Sequence, residues 1–118
     1  MPVLNMPMTD NAARDLFPGA LEMMILESLR RQPAHGYALV QHIQQRSNNL
    51  LQVEEGSLYP ALHRMTQSGW LRSEWGASEN NRRARYYSIT AAGQKHLAEE
   101  KQHWEQLTGA VARVLRFA

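Results

Sequence analysis

Apolar residues recur at helical spacing in three successive stretches. From Pro18 to Gln32, Leu21, Met24, Ile25 and Leu29 fall on one side of a 3.6-residue period, and Glu22, Glu27, Arg30 and Arg31 on the other, which predicts a first core helix. Pro33 breaks the pattern. Gly36 to Ser47 resumes it, with Leu39, Val40 and Ile43 along one side and Gln41, Gln44, Gln45 and Arg46 mostly elsewhere. Ser47-Asn48-Asn49 reads as a turn, and Leu50 to Val53 as a small strand or buried linker. A third helix is expected to start near Glu54 to Ser57 and to end at Gly69, with Leu58, Ala61, Leu62 and Met65 as its buried stripe and Pro60 tolerated near its first turn.

Two strand candidates follow, Trp70 to Trp75 and Ala84 to Ile89, separated by the polar segment Gly76 to Arg83, a pattern that predicts a hairpin with a long tip. Thr90 is placed to cap a helix from Ala91 nearly to the C-terminus, about 40 Å long at 1.5 Å per residue. Such a helix is too long for one small core. Upstream, Thr9 and Asp10 could cap a brief helix through about Leu16, before Phe17-Pro18-Gly19 interrupts it. The expected fold is mainly α with a small β-hairpin.

Three helices and a hairpin are the parts of a winged helix-turn-helix, in which the later helix of the tri-helical core enters the major groove of DNA. Here that is a recognition helix over 56–68. With Leu58, Leu62 and Met65 facing inward, Ser57, Tyr59, Pro60, His63, Arg64 and Gln67 lie on or near its outer side, and most can donate to phosphates or base edges. An ordinary solvated helix face would look the same by periodicity alone. The hairpin tip concentrates Arg82, Arg83 and Arg85, donors suited to the DNA backbone or the narrow minor groove, so residues 76–85 form the expected wing. By alternation Arg83 and Arg85 share a face with Tyr87 and Ile89, and Tyr86 points the other way. A soluble, flexible loop is the competing reading of this charge run.

In the last helix Leu97, Trp104 and Val111 repeat every seven residues, and Leu107 and Val114 fill the alternate positions, the pattern of a homodimer seam. Glu100 interrupts the seam, so its upper half is expected to splay or to pack against the first helix. A stripe serving only the chain's own core is the alternative. The chain thus divides into an N-terminal extension at 1–17, a winged helix-turn-helix unit at 18–90 and a dimerisation helix at 91–118.

Composition narrows the functional classes. The chain has 118 residues, 43% of them hydrophobic, enough for one modest core. It has no cysteine, which removes disulfides and thiolate metal sites and suits a reducing compartment. Met1 to Met8 lacks a basic leader and a continuous apolar run, and no stretch approaches the roughly 20 apolar residues of a membrane span, so a cytoplasmic protein without membrane contact is expected. The net charge is only +2, so any basic feature is local to the wing. No convergent nucleophile, base, phosphate loop or metal cluster is recognisable among the scattered histidines, and neither an enzyme nor a cofactor is expected. A winged helix used only for protein contacts remains the alternative to DNA binding.

The segments His35-Gly36-Tyr37, Glu55-Gly56-Ser57-Leu58-Tyr59-Pro60-Ala61-Leu62, Gly69-Trp70-Leu71 and Arg85-Tyr86-Tyr87-Ser88-Ile89-Thr90-Ala91-Ala92-Gly93 resemble, in order and spacing, the signature of the PadR-like regulators over roughly residues 20–117. The resemblance implies a winged helix-turn-helix fold, transcriptional repression at double-stranded DNA, and dimerisation through the C-terminal helix, as in the family's short subgroup. It also implies a possible planar aromatic or cationic effector held between terminal helices, for which Trp104 is the candidate; the alternative role for Trp104 is an apolar interface anchor. One departure is Glu54-Glu55, where many relatives carry a small polar cap followed by proline. These carboxylates would repel phosphates, so they are expected to cap the helix or to pair with a cation.

Overall fold

The computed structural model describes residues 19–117. The 1–17 extension and its expected helix lie outside the described residues. Helix α1 (Ala20–Leu29), strand β1 (Ala34–His35), helices α2 (Gly36–Arg46) and α3 (Glu55–Gln67), strands β2 (Leu71–Ala77) and β3 (Arg83–Ile89), and helix α4 (Ala91–Phe117) follow in order. The antiparallel sheet has the order β1-β3-β2. The expected hairpin therefore gains a third strand. Two residues carry no periodicity of their own, and β1 exists because Ala34 and His35 pair with Tyr87 and Tyr86.

Each helix turns its apolar stripe to one core. Leu21, Ile25, Leu26 and Leu29 of α1, Leu39 and Ile43 of α2, and Leu58, Ala61, Leu62 and Met65 of α3 are buried together with Val53, Leu71, Tyr87 and Leu97. Leu50 to Val53 forms no strand and acts as a linker pinned by Val53. The turn before it takes two consecutive left-handed residues, Asn48 and Asn49, a conformation asparagine tolerates better than most side chains.

Helix α3 ends as expected. Gly69 adopts φ +82°, its N–H donates to the Thr66 carbonyl (3.1 Å), and the Trp70 N–H donates to that of Met65 (3.0 Å). This paired closure satisfies carbonyls that the helix itself leaves open. Two local expectations are corrected at its other end. Glu54 stands at the N-cap position, but its side chain makes no capping hydrogen bond, and among the described residues neither Glu54 nor Glu55 forms an ion pair with a cation. Pro60 is not in the first turn: it lies inside the helix, where it cannot donate to the Gly56 carbonyl.

Thr90 caps α4. Its Oγ1 accepts from the Gly93 N–H (3.0 Å) and donates to the Gly69 carbonyl (2.6 Å), while its own N–H reaches the Trp70 carbonyl (3.0 Å). Leu97 then enters the core, and Lys101 Nζ lies 3.0 Å from Glu27 on α1. The first turns of α4 thus pack on α1, and the rest extends beyond the core.

Candidate nucleic-acid interface

The buried stripe of α3 leaves an opposite face. Tyr59, Pro60, His63, Arg64 and Gln67 are exposed there, and Ser57 is partly covered. Arg64 and Tyr59 make contacts that place them within the fold. Arg64 reaches Glu22 on α1 at 3.4 Å, a surface contact that tethers the guanidinium without burying it. Tyr59 lies over Gly36, the first residue of α2: a Cβ built at Gly36 would stand 2.8 Å from the ring's Cζ. The close approach of α2 and α3 therefore depends on that glycine. Burial first, then the Glu55 carboxylate, raises the Tyr59 phenol above its ordinary pKa, so it stays protonated and able to donate at neutral pH.

The wing is more ordered than a long polar tip implies. Strand pairing continues to Gly76 opposite Ala84 and Ala77 opposite Arg83. Only residues 78–82 form the turn, which is closed by Ser78 N–H to the Arg82 carbonyl (2.8 Å) and Asn81 N–H to the Ser78 carbonyl (2.9 Å), with Asn81 at φ +58°. Arg82 stands exposed at this tip.

Alternation places the other two arginines as expected, on the face that ends in buried Tyr87. They meet a residue that charge patterning alone misses. Trp75 lies directly across from Arg85, and the guanidinium carbons of Arg83 and Arg85 stand 4.5 and 5.1 Å from its ring centre. Arg85 Nε also donates to Ser73 Oγ (3.1 Å). Tyr86, on the other face, donates to the Ala77 carbonyl (2.8 Å) and meets His35 edge-on at 5.3 Å. His35 fixes the start of α2, its Nδ1 accepting from the Ala38 N–H at 3.2 Å.

These elements enclose an open cleft of about 530 Å³, lined by His35, Tyr37 and Gln41 at the start of α2, by Tyr59 on α3, and by Trp75 and the three arginines of the wing. Tyr37 and Gln41 were not among the residues expected here. Their signal lies in the approach of α2 to the wing, which periodicity within one helix does not report. The cleft joins aromatic faces to an excess of fixed positive charge, the composition that suits a polyanion carrying bases or sugars.

The expected seam residues divide into two groups. Leu97 is 3% exposed and belongs to the chain's own core, so it is removed from the set available to a partner. Trp104, Leu107, Val111 and Val114 are exposed along the outer part of α4, and Leu115 joins them. Glu100 accounts for the division: at this level α4 faces α1, with the Glu100 carboxylate beside Gly19. Among the described residues no helix is long and apolar enough to cross a membrane.

Comparison with known proteins agrees with this geometry. Residues 25–99 match the model of the transcriptional regulator PadR-like family. A transcriptional regulator of Mycobacterium tuberculosis is 33% identical over 98 residues, which cover 83% of this chain and 88% of that protein. Among solved structures, a PadR family transcriptional regulator from Eggerthella lenta superposes with a TM-score of 0.75 at 33% identity, over 88% of each chain. A PadR-like transcriptional regulator from Bacillus cereus also gives 0.75, at 30% identity, over 88% of this chain and 99% of its own.

Proposed function

Since the chain belongs to the PadR-like family of transcriptional regulators, we propose that it is a repressor that binds an inverted-repeat operator as a homodimer. The observation that carries this reading is the cleft, where Tyr59 of α3 and the arginines of the wing converge, with Ser57, Pro60 and Arg64 lining a separate hollow beside α1. Residues 56–68 enter the major groove, with Ser57, Tyr59, Pro60, His63, Arg64 and Gln67 toward the bases and phosphates. Residues 76–85 lie on the backbone or in the minor groove through Arg82, Arg83 and Arg85.

Two copies join through Trp104, Leu107, Val111 and Val114, whose exposure on a helix outside the core supports this role. The two-fold axis sets the recognition helices about 34 Å apart, one turn of DNA. Trp104 offers the surface on which a planar aromatic or cationic effector would stack to release the operator. A regulator acting on chromosomal DNA works in the cytoplasm.

Selection of genomic fragments on the purified protein tests the reading. The expected result is recovery of a few sites that share an inverted repeat. Recovery no better than that of random DNA at low salt would favour a winged helix used for protein contacts.

A further inference from the structure

We infer that Trp75 is a positioning residue for the wing, holding Arg83 and Arg85 as an ordered pair of cations for two neighbouring phosphates. The inference rests on the DNA-binding reading and adds a residue that neither charge nor the recognition helix points to.

Arginine side chains on an exposed hairpin ordinarily sample many rotamers, and ordering them on DNA carries an entropic cost for each immobilised side chain. Here much of that ordering precedes binding. Register puts Trp75 opposite Arg85 and diagonal to Arg83, so one indole underlies both guanidinium groups, at 5.1 and 4.5 Å. Ser73 fixes the Nε of Arg85 from the same strand.

A guanidinium held over a ring by its charge spends no N–H donor on it, so apart from the Arg85 Nε given to Ser73 the donors remain for oxygen ligands. Among the described residues neither Arg83 nor Arg85 is paired with a carboxylate, so both charges remain for a partner. Trp75 itself is 52% exposed, more than a side chain serving the core would be. The indole therefore holds both cations within the cleft while remaining largely in solvent itself.

Two measurements on the full chain test this. In the free protein, the side-chain protons of Arg83 and Arg85 should carry upfield ring-current shifts that vanish in Trp75→Ala; ordinary shifts in the unmodified protein would overturn the inference. In titrations of an operator duplex, Trp75→Ala should weaken binding about fivefold and Trp75→Phe by less than about twofold, with unchanged melting temperatures. In an Arg83→Ala/Arg85→Ala background, Trp75→Ala should have no further effect. Undiminished affinity in Trp75→Ala, or an equal loss with both arginines gone, would overturn it, the latter by showing that the indole meets DNA directly. Intact ring-current shifts with no duplex bound at any salt would instead bring down the DNA-binding reading, and the proposed role with it.

Discussion

Trp70 and His96 stack with ring centres 3.7 Å apart and planes within 12° of parallel. The contact joins the residue that follows the α3 terminus to the second turn of α4. Thr90 and Gly93 complete the junction: Thr90 bonds to Gly69 and Trp70, and Gly93 lies flat against the Trp70 carbonyl and Ile89. One short segment therefore ends α3, begins β2 and sets the direction of the last helix.

Gly93→Ala should be among the most damaging single-atom additions in the chain. Its Cβ would collide with the Trp70 carbonyl, and backbone cannot step aside as a flexible side chain can. Overpacking of this kind costs about 2 kcal/mol or more, so thermal melting should begin roughly 10 °C lower. Gly56→Ala, where nothing lies within 4 Å of the added carbon, is the matched control. Equal melting of the two variants would contradict the close packing at Gly93.

The Glu27 carboxyl is held below its ordinary pKa, chiefly by the Arg30 guanidinium that donates to it at 2.8 Å and further by Lys101 on α4. A depressed folded pKa gives stabilisation that is present above the unfolded value and lost as pH falls through the folded one. The melting temperature should therefore fall more steeply with acidification below about pH 4.5 in the unmodified chain than in Glu27→Gln. The difference will be small, because these are surface pairs. Parallel pH profiles would remove Glu27 from the account of how α4 is held to α1.

Val111→Glu should convert the protein from dimer to monomer in light scattering at micromolar concentration. The side chain is half exposed in the single chain, so its own fold does not need it, whereas a two-fold seam would bury two carboxylates at once. Helix content should be little changed. A persistent dimer would place the interface elsewhere.

Replacement of Arg82, Arg83 and Arg85 by alanine should flatten the dependence of log affinity on log salt by about 0.9 for each phosphate that the wing no longer neutralises. His63→Ala on α3 should change the preferred operator sequence more than the salt slope, if its exposed ring meets base edges. An unaltered slope in the arginine variant would mean that the wing does not touch the backbone.

Most of this architecture is legible in the chain itself. The stripes Leu21/Ile25/Leu29, Leu39/Ile43 and Leu58/Leu62/Met65 bury as their spacing implies, and Gly69 and Thr90 mark helix ends for local stereochemical reasons. What escapes the sequence depends on pairing between distant segments. Strand β1 is defined only by Tyr86 and Tyr87, and the wing tip is short because Ser78 and Asn81 close a turn within a polar run that looks long. Leu97 satisfies a heptad equally well in a dimer seam or in the chain's own core, and only the approach of α1 decides. Trp75 gains its meaning once register sets it against Arg85. Side-chain type shows which groups can bind DNA, and tertiary structure shows which are already held: Arg64 by Glu22, Tyr59 over Gly36, and two arginines by an indole.

In the proposed dimer, the junction from Gly69 to Gly93 would work as the fixed arm of a caliper. In a dimer closed through α4, the gap between the two reading heads is set by Thr90, Gly93 and the Trp70–His96 stack, none of which faces the cleft. On the proposed dimeric reading, the spacer length tolerated in an operator would be governed by residues outside the cleft. An added base pair at the operator centre rotates one half-site about a tenth of a helical turn relative to the other, a change of phase that such an arm has little freedom to follow.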